Sequence, residues 1–426
     1  MDDTIPKLVP LDQAQARVLE GVRALPSEVV GIEAAAGRVI AEGIRSPIAL
    51  PGWDNSAMDG FAVRASDVAA ATRPDPVRLR VLGEVPAGRA PEVEVLPGTA
   101  VRIMTGAPMP VGADAVVPVE DTDARTGASA VPSTVAVRAP VRPRENVRYA
   151  GSDVREGAGL LEPGRACDSA AIALLAATGH ARVTVHRRPR VAVVSTGDEL
   201  VPPGRPLGPA QIHDSNSYAL AAQAAEAGAD VRRLGIAEDT LPALLALLRD
   251  AAAWADVVVL SGGVSMGAHD HVRAAFAALG ELDLWRVAIK PGRPFAHGRF
   301  VAADGGTVHL FGLPGNPVAV FVTFELFVRP VIRRLSGRPR AFARPVRTVR
   351  LAEAMRGSTG RHTITRVVLV PDPERPDGLV ARMSGGQDSF MVASLAAANA
   401  MVFLPPDTDL PAGAEVTAWE LRDRDA

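Results

Sequence analysis

Chemistry-bearing residues cluster where apolar runs of this chain stop. VVVLSGGVSMGAHD, from Val257 to Asp270, has four apolar residues, then Ser261, Gly262 and Gly263. Backbone N–H groups at such a strand end approach an anion closely, because glycine puts no side chain in the way. Asp270 is suited to hold a metal ion or to cap a following helix. Three further stretches share this texture: STGDEL (195–200), AIKPGRPF (288–295) and LPGNP (313–317). Together they offer a cradle of N–H groups, the cations Lys290 and Arg293, and the carboxylates Asp198, Glu199 and Asp270. A helix N-terminus favours an anion by about 0.3–1 kcal/mol when exposed and up to about 2 when partly buried. The set fits a phosphate or another oxyanion. Carboxylates beside phosphates suggest Mg²⁺, which uses one or two carboxylates plus phosphate oxygens. Phosphoanhydride chemistry needs little beyond positioning and charge neutralisation. Taken singly, each stretch also reads as a turn, a helix start or a solvated charge. The chain has no GxxxxGK[ST] and no GxGxxG, which disfavours a P-loop ATPase and a dinucleotide-binding dehydrogenase.

The N-terminal half carries a second dense motif, PGWDNSAMDGFAV, from Pro51 to Val63. Asp54, Asn55, Ser56 and Asp59 lie between Trp53 and Phe61. Polar groups this close are costly to bury unless paired. They read either as a self-satisfied turn joining domains or as a binding loop for a polar, flat ligand. RIMTGAPMP places Thr105 and Gly106 after a strand, VVPVED ends near Glu120, and ENVRYAGSD ends on Asp153. His213, His269, His271, His297 and His362 show no HExxH-type spacing, which disfavours zinc. No GxSxG elbow is present.

The elements that must position these groups separate by texture. Leu11 to Ile44 is helix-like, with apolar Val18, Val22 and Leu25 at spacings of four and three. Residues 51–146 alternate short Val-rich runs with turn residues, the pattern of a small all-β unit inserted into a helical one. Ala170 to Ala177 is helical again. From Arg190, strands and helices alternate, which predicts a mostly parallel sheet covered on both faces, with ligands at the strands' carboxyl ends. Ser336 to Pro345 reads as a linker, and the tail from Val346 as a small β-barrel. The expected fold class is α/β multidomain, with a central three-layer α/β domain. The divisions are 1–50 with 147–187, 51–146, 188–336 and 345–426.

Bulk composition narrows the function classes. At 426 residues the chain exceeds one core. Its 46 basic and 48 acidic residues nearly cancel, so no overall field gathers nucleic acid or anionic lipid. Aromatic content of 4% without basic-aromatic interleaving also disfavours nucleic acid. Cys167 is the single cysteine, which rules out an intramolecular disulfide and fits a reducing cytosol. The start, MDDTIPK, lacks signal-peptide order, and the apolar run from Val318 is broken by Glu325. A soluble, cytoplasmic protein is expected.

Seven strings, in order, resemble the MoeA family, the molybdopterin molybdenumtransferases, which include the C-terminal domain of gephyrin and a domain of plant Cnx proteins. They are DNSAMDG (54–60), MTGAPMP (104–110), ENVRYAGSD (145–153), STGDEL, SGGVSMG, AIKPGRPF and LPGNPV. The resemblance implies an elongated homodimer whose cleft lies between subunits. It implies that adenylylated molybdopterin is bound, molybdate is inserted at its dithiolene, and the adenylate is cleaved with Mg²⁺ and released as AMP. Asp59, Thr105, Glu199, Asp270 and Lys290 then match catalytic positions, with Glu199 and Asp270 as the Mg²⁺ ligands. Matching substrate positions are Asp54, Ser56 and Asp153 in the N-terminal half. In the α/β region they are Ser261, Gly262, Gly263, Ser265, Arg286, Arg293, Pro314 and Asn316. Arg361 and Ser389 match in the last domain. Arg286 stands where many relatives have lysine, and GSD replaces the commoner GED beside Asp153. The molybdopterin adenylyltransferase and acceptor molybdoenzymes are the implied partners. The alternatives are an adenylyltransferase, or a gephyrin-like scaffold without catalysis.

Overall fold

The computed structural model describes residues 8–125, 130–238, 240–263, 271–302, 305–342 and 344–421, and leaves out the side chains of 281–285. Ser265, His269 and Asp270 therefore lie outside the described residues.

Strands that are apolar throughout need cover on both faces. The apolar stretches Val191–Val194 of the strand Arg190–Thr196 and Val257–Leu260 of the strand Val257–Ser261 are of this kind, and the two strands pair in parallel near one end of a seven-stranded sheet. Side chains alternate along a strand, so each sequence run is split between two cores. Val191, Val193, Val257 and Val259 pack with Leu220, Ala224 and Val318 on one face. Ala192, Val194, Val258 and Leu260 pack with Leu244, Leu248 and Phe276 on the other. The result is the expected three-layer unit. Its strand order is Leu8–Val9, Glu281–Val287, Pro294–Val301, Thr307–Leu313, Val257–Ser261, Arg190–Thr196, Asp230–Ala237. Four of the joints are parallel, and the two beside Pro294–Val301 are antiparallel.

The start of the chain differs from its expected helical run to Ile44. The helix is Leu11–Leu19 only. Gly21 follows in the left-handed region at φ +72°, where glycine carries no Cβ penalty, and Pro26 precedes the strand Ser27–Gly31. Ala14, Val18 and Val22 pack into the core of the α/β sheet, and Leu8–Val9 forms its edge strand beside Arg286 and Val287. Ser27–Gly31 pairs instead with Arg182–His186 over a separate core that includes Ile40, Leu175 and Val185. Asp168 caps the Ser169–Ala177 helix there, accepting from Ala171 N at 2.8 Å.

The inserted region is a five-stranded sheet ordered Ala115–Pro118, Gly60–Val63, Thr99–Ile103, Val77–Val85, Thr134–Val137. At the C-terminal end, His362–Pro371, Leu379–Met383, Val346–Leu351, Glu415–Glu420 and Ala400–Leu404 pair in sequence, and the last strand pairs back to the first. That ring is a closed five-stranded barrel around Val349, Val367, Ala381 and Val402.

His297 and His309 sit on the adjacent antiparallel strands of the sheet, their rings stacked at 5.8 Å. Burial and mutual proximity hold His297 down to about 3; burial and Arg299 hold His309 down to about 4. Both groups are thus neutral in the fold at a pH where the unfolded chain already protonates them. Their contribution is present above about 6.5 and is lost as pH falls toward their folded values. Each histidine should add a slope of about 1.4 kcal/mol per pH unit well below its ordinary value. Urea unfolding of wild type and His309→Asn at pH 7.5 and pH 5 checks this. The variant should lose less stability between the two; equal losses would exclude the histidine as a source.

Candidate active site

Register sets the site. Ser195 lies opposite Ser261, and Ser261 opposite Leu313, so three parallel strands end at one level. The loops starting at Thr196, Gly262 and Pro314 therefore leave the sheet side by side. Gly262 has φ +95°, and a Cβ there would fall 2.5 Å from Thr196 O, so only glycine fits between the two strand ends. Asn216 ties the loops together, donating from Nδ2 to Ser261 Oγ at 2.8 Å and to Gly315 O at 2.7 Å. Its helix is capped by the buried Asp214, which accepts from Ser217 N at 3.0 Å and Ser217 Oγ at 2.6 Å.

The barrel closes over these loops. Ile289–Lys290 leaves the sheet and pairs in parallel with His362–Thr363 of the barrel, and His362 N donates to Ala288 O at 2.9 Å. Val318 N donates to Ser389 O at 3.0 Å, and Asn316 Nδ2 to Ser389 Oγ at 2.7 Å. Asn316 stands at the N-cap of the Pro317–Thr323 helix but makes no side-chain cap bond; its amide reaches across to the barrel. Between the two walls lies a cavity of about 920 Å³. Glu199, Gly262, Gly263, Lys290, Arg293, Pro314, Asn316 and Ser389 all line it.

Its electrostatics favour an anion. Burial lowers the pKa of Arg293, and Arg286 and Arg361 lower it further. Arg293 Nε is buried without a hydrogen-bond partner. Thr196, at 4% exposure, has its hydroxyl buried and without a partner in the cavity wall. Buried polar atoms of a native fold are nearly always satisfied. Two unpartnered donors in one cavity wall mark where a ligand's oxygens belong.

The N-terminal motifs gather separately. Asp59 Oδ1 accepts from both the backbone N and the hydroxyl of Thr105, each at 2.7 Å. These two bonds, with nearby Arg102, hold the Asp59 carboxyl below its ordinary value. Asp54 Oδ1 accepts from Ala150 N at 2.8 Å, and Asn55–Ser56 pairs with Val147–Arg148. DNSAMDG, MTGAPMP and ENVRYAGSD thus form one knot. Asp54, Asp59, Thr105 and Asp153 are exposed on it, whereas Ser56 is buried and bonded into the Met58 turn. None of these residues lines the large cavity within one chain. Ser261 is in neither wall but buried under it, bonded to Asn216.

Sequence reasoning missed Asn216 and Arg366. Arg366 is fully buried and donates from Nη2 to Gly386 O at 2.7 Å and Ser394 Oγ at 3.0 Å. Its backbone N–H donates to Gln387 Oε1 at 2.9 Å. It shapes the loop whose Gln387, Asp388 and Ser389 line the cavity. An arginine inside the apolar strand TITRVVLV was the available signal.

Comparison with known proteins gives a consistent match along the chain. Residues 9–179 match the MoeA N-terminal region (domain I and II), 192–334 a probable molybdopterin binding domain, and 348–421 the MoeA C-terminal region (domain IV). Molybdopterin molybdenumtransferase 2 of Mycobacterium tuberculosis is 38% identical over 418 residues, 96% of this chain and 99% of that protein. The molybdopterin molybdenumtransferase of Nostoc sp. is 39% identical over 399 residues, 93% of this chain and 89% of that protein. A solved molybdopterin biosynthesis MoeA protein from Pyrococcus horikoshii superposes with a TM-score of 0.79 at 35% identity, covering 98% of this chain and all of that one.

Thr196→Val tests the orphaned hydroxyl. Removing an unpartnered buried hydroxyl should leave the ligand-free protein as stable as wild type or more so. The same change should weaken binding of an inorganic tetrahedral oxyanion about tenfold, as expected for a lost hydrogen bond to a charged group. Unchanged calorimetric affinity for molybdate or sulfate would remove Thr196 from the site.

Proposed function

This chain belongs to the MoeA family of molybdopterin molybdenumtransferases, and on that footing we propose that it inserts molybdate into adenylylated molybdopterin and releases AMP. The enzyme works in molybdenum cofactor biosynthesis. The observation that carries the mechanistic reading is the pair of buried, unpartnered donors, Arg293 Nε and the Thr196 hydroxyl, in the cavity wall that also holds Lys290.

In this reading the phosphate oxygens of the substrate lie on the strand-end loops. Thr196 donates its hydroxyl, and the backbone of Gly262 and Gly263 lets the anion approach. Lys290 and Arg293 neutralise the incoming molybdate, and Asn316 and Ser389 hold the two walls at a fixed spacing. Arg361 and Arg286 add positive potential from outside the lining. The site suits Mg²⁺ in donor chemistry: Glu199 and Asp388 are carboxylates of the described wall, and one or two carboxylates plus phosphate oxygens are what this ion takes. No group of three or more metal-ligating side chains occurs among the described residues, so the substrate's phosphates would complete the set. Bound there, Mg²⁺ would neutralise charge on the phosphoanhydride as it is cleaved. Asp270 and Ser265 belong to the same proposal through the family motif alone.

We further propose a homodimer, with the Asp59–Thr105 knot of one subunit completing the cavity of the other. The separation of the two clusters within one chain supports this. Asp54 and Asp153 would then face the substrate, and Asp59, kept ionised by Thr105, would act on it. Partnership with the adenylyltransferase and with acceptor molybdoenzymes follows from the chemistry of substrate and product. A cytoplasmic setting fits that chemistry; no helix among the described residues is long and apolar enough to cross a membrane. An adenylyltransferase reading leaves the N-terminal knot and the barrel without a role. A scaffold reading leaves the cavity and its unpartnered donors without one.

Incubating the protein with adenylylated molybdopterin, Mg²⁺ and molybdate should release AMP in step with molybdenum incorporation. Retention of the adenylate under these conditions would sink the reading. Asp59→Ala and Lys290→Ala should each fold normally and lose most activity. Mixing the two variants after subunit exchange should restore activity, because one cleft of a mixed dimer carries neither change. A mixture as inactive as its components would contradict the shared cleft.

A further inference from the structure

The Asn216–Glu226 helix has the main cavity at its start and a second cavity, of about 240 Å³, at its end. Eleven residues at 1.5 Å each separate the two by roughly 16 Å. The second cavity is the meeting point of four chain segments: residues 37–39, 186–188, 225–228 and the linker at 336–338. Its wall carries Arg38, His186, Arg187, Arg188 and Arg338 against one carboxylate, the exposed Glu226.

Some of this charge is already matched. Arg187 forks onto Asp256 at 2.7 and 3.0 Å, and Arg38 pairs with Glu28. The rest is not. Arg188 and Arg338 reach only the carbonyls of Ala36 and Gly37, at 3.4 and 3.2 Å. The side chain of Arg38 is 8% exposed, and its Nε is buried without a partner; so is the Nε of Arg338. Burial lowers the pKa of Arg338. The carbonyls at the helix end explain why guanidinium groups collect here. They do not explain two dry N–H groups aimed at nothing, since buried donors are almost always satisfied.

We propose that this junction cavity is a second anion site, binding a small tetrahedral oxyanion of the phosphate class through Arg188 and Arg338, with Arg38 at its inner wall. The size supports a small ligand. Pockets for drug-sized molecules run from about 300 to 1,000 Å³. This one holds the equivalent of roughly eight waters, at about 30 Å³ each. Planar guanidinium forks match the oxygens of a tetrahedral dianion better than a lysine would. The site is independent of the main cavity and of the reaction assigned to it. An anion there bridges the N-terminal unit, the α/β sheet and the linker to the barrel.

The test is calorimetry with inorganic phosphate on the full-length chain, with the main cavity weakened by Lys290→Ala. That parent should retain a phosphate site. Arg338→Gln and Arg188→Gln, added to the parent, should each weaken it tenfold or more, while Arg338→Lys should weaken it less. In the chain with Lys290 intact, Arg338→Gln should leave AMP release unchanged. Thermal unfolding without phosphate checks that the variants fold; should Arg338→Gln fail, Arg188→Gln carries the same reading. No phosphate binding by the parent at millimolar concentration would overturn the proposal. So would equal affinity in the parent and both glutamine variants.

Discussion

The active cavity depends on a two-residue ladder. Ile289–Lys290 pairs with His362–Thr363, and through that pairing the Lys-Pro-Gly loop of the sheet becomes part of the barrel. The bonds from Val318 to Ser389 O and from Asn316 to Ser389 Oγ make the same connection on the opposite side. Remove these contacts and the strand ends and the barrel become two open surfaces. Keep them, and Lys290 and Arg293 are held over the loops that begin at Thr196, Gly262 and Pro314. Gly292 allows the approach: it has φ +105°, and a Cβ there would meet Thr323 at 2.6 Å.

The charge distribution follows from that architecture. Cations drawn from different segments converge on the cavity, and Arg286 and Arg361 lower the pKa of Arg293 there. Burial adds to the effect by stripping water from Arg293 and from the hydroxyl of Thr196. Asp59 has the opposite situation. Two hydrogen bonds from Thr105 keep it ionised on a surface knot. One chain therefore carries an anion-attracting cavity and, apart from it, a fixed carboxylate.

The α/β rhythm was legible because parallel strands buried on both faces read as uninterrupted apolar runs, as in VAVV and VVVL. The barrel class was legible from its turns, but not its closure, which rests on the pairing of Ala400–Leu404 with His362–Pro371. Leu8–Val9 and Ile289–Lys290 were invisible, because two residues have no period and acquire strand identity only from a distant partner. The helix expected to Ile44 stops at Leu19 because Gly21 and Pro26 break the run, although apolar spacings of four and three continue to Leu25. The motif strings pointed to the right loops but not to what organises them. Asn216 and Arg366 act through backbone carbonyls, and a carbonyl leaves no trace in residue type.

One anion bridging the sheet's strand ends and the barrel should order both walls, and amide hydrogen exchange of the intact protein, with and without molybdate, reads that ordering. Protection should rise together in the loop at 289–293 and in the barrel segments at 361–365 and 384–391. Protection gained on one wall alone, or on neither, would exclude a bridging anion.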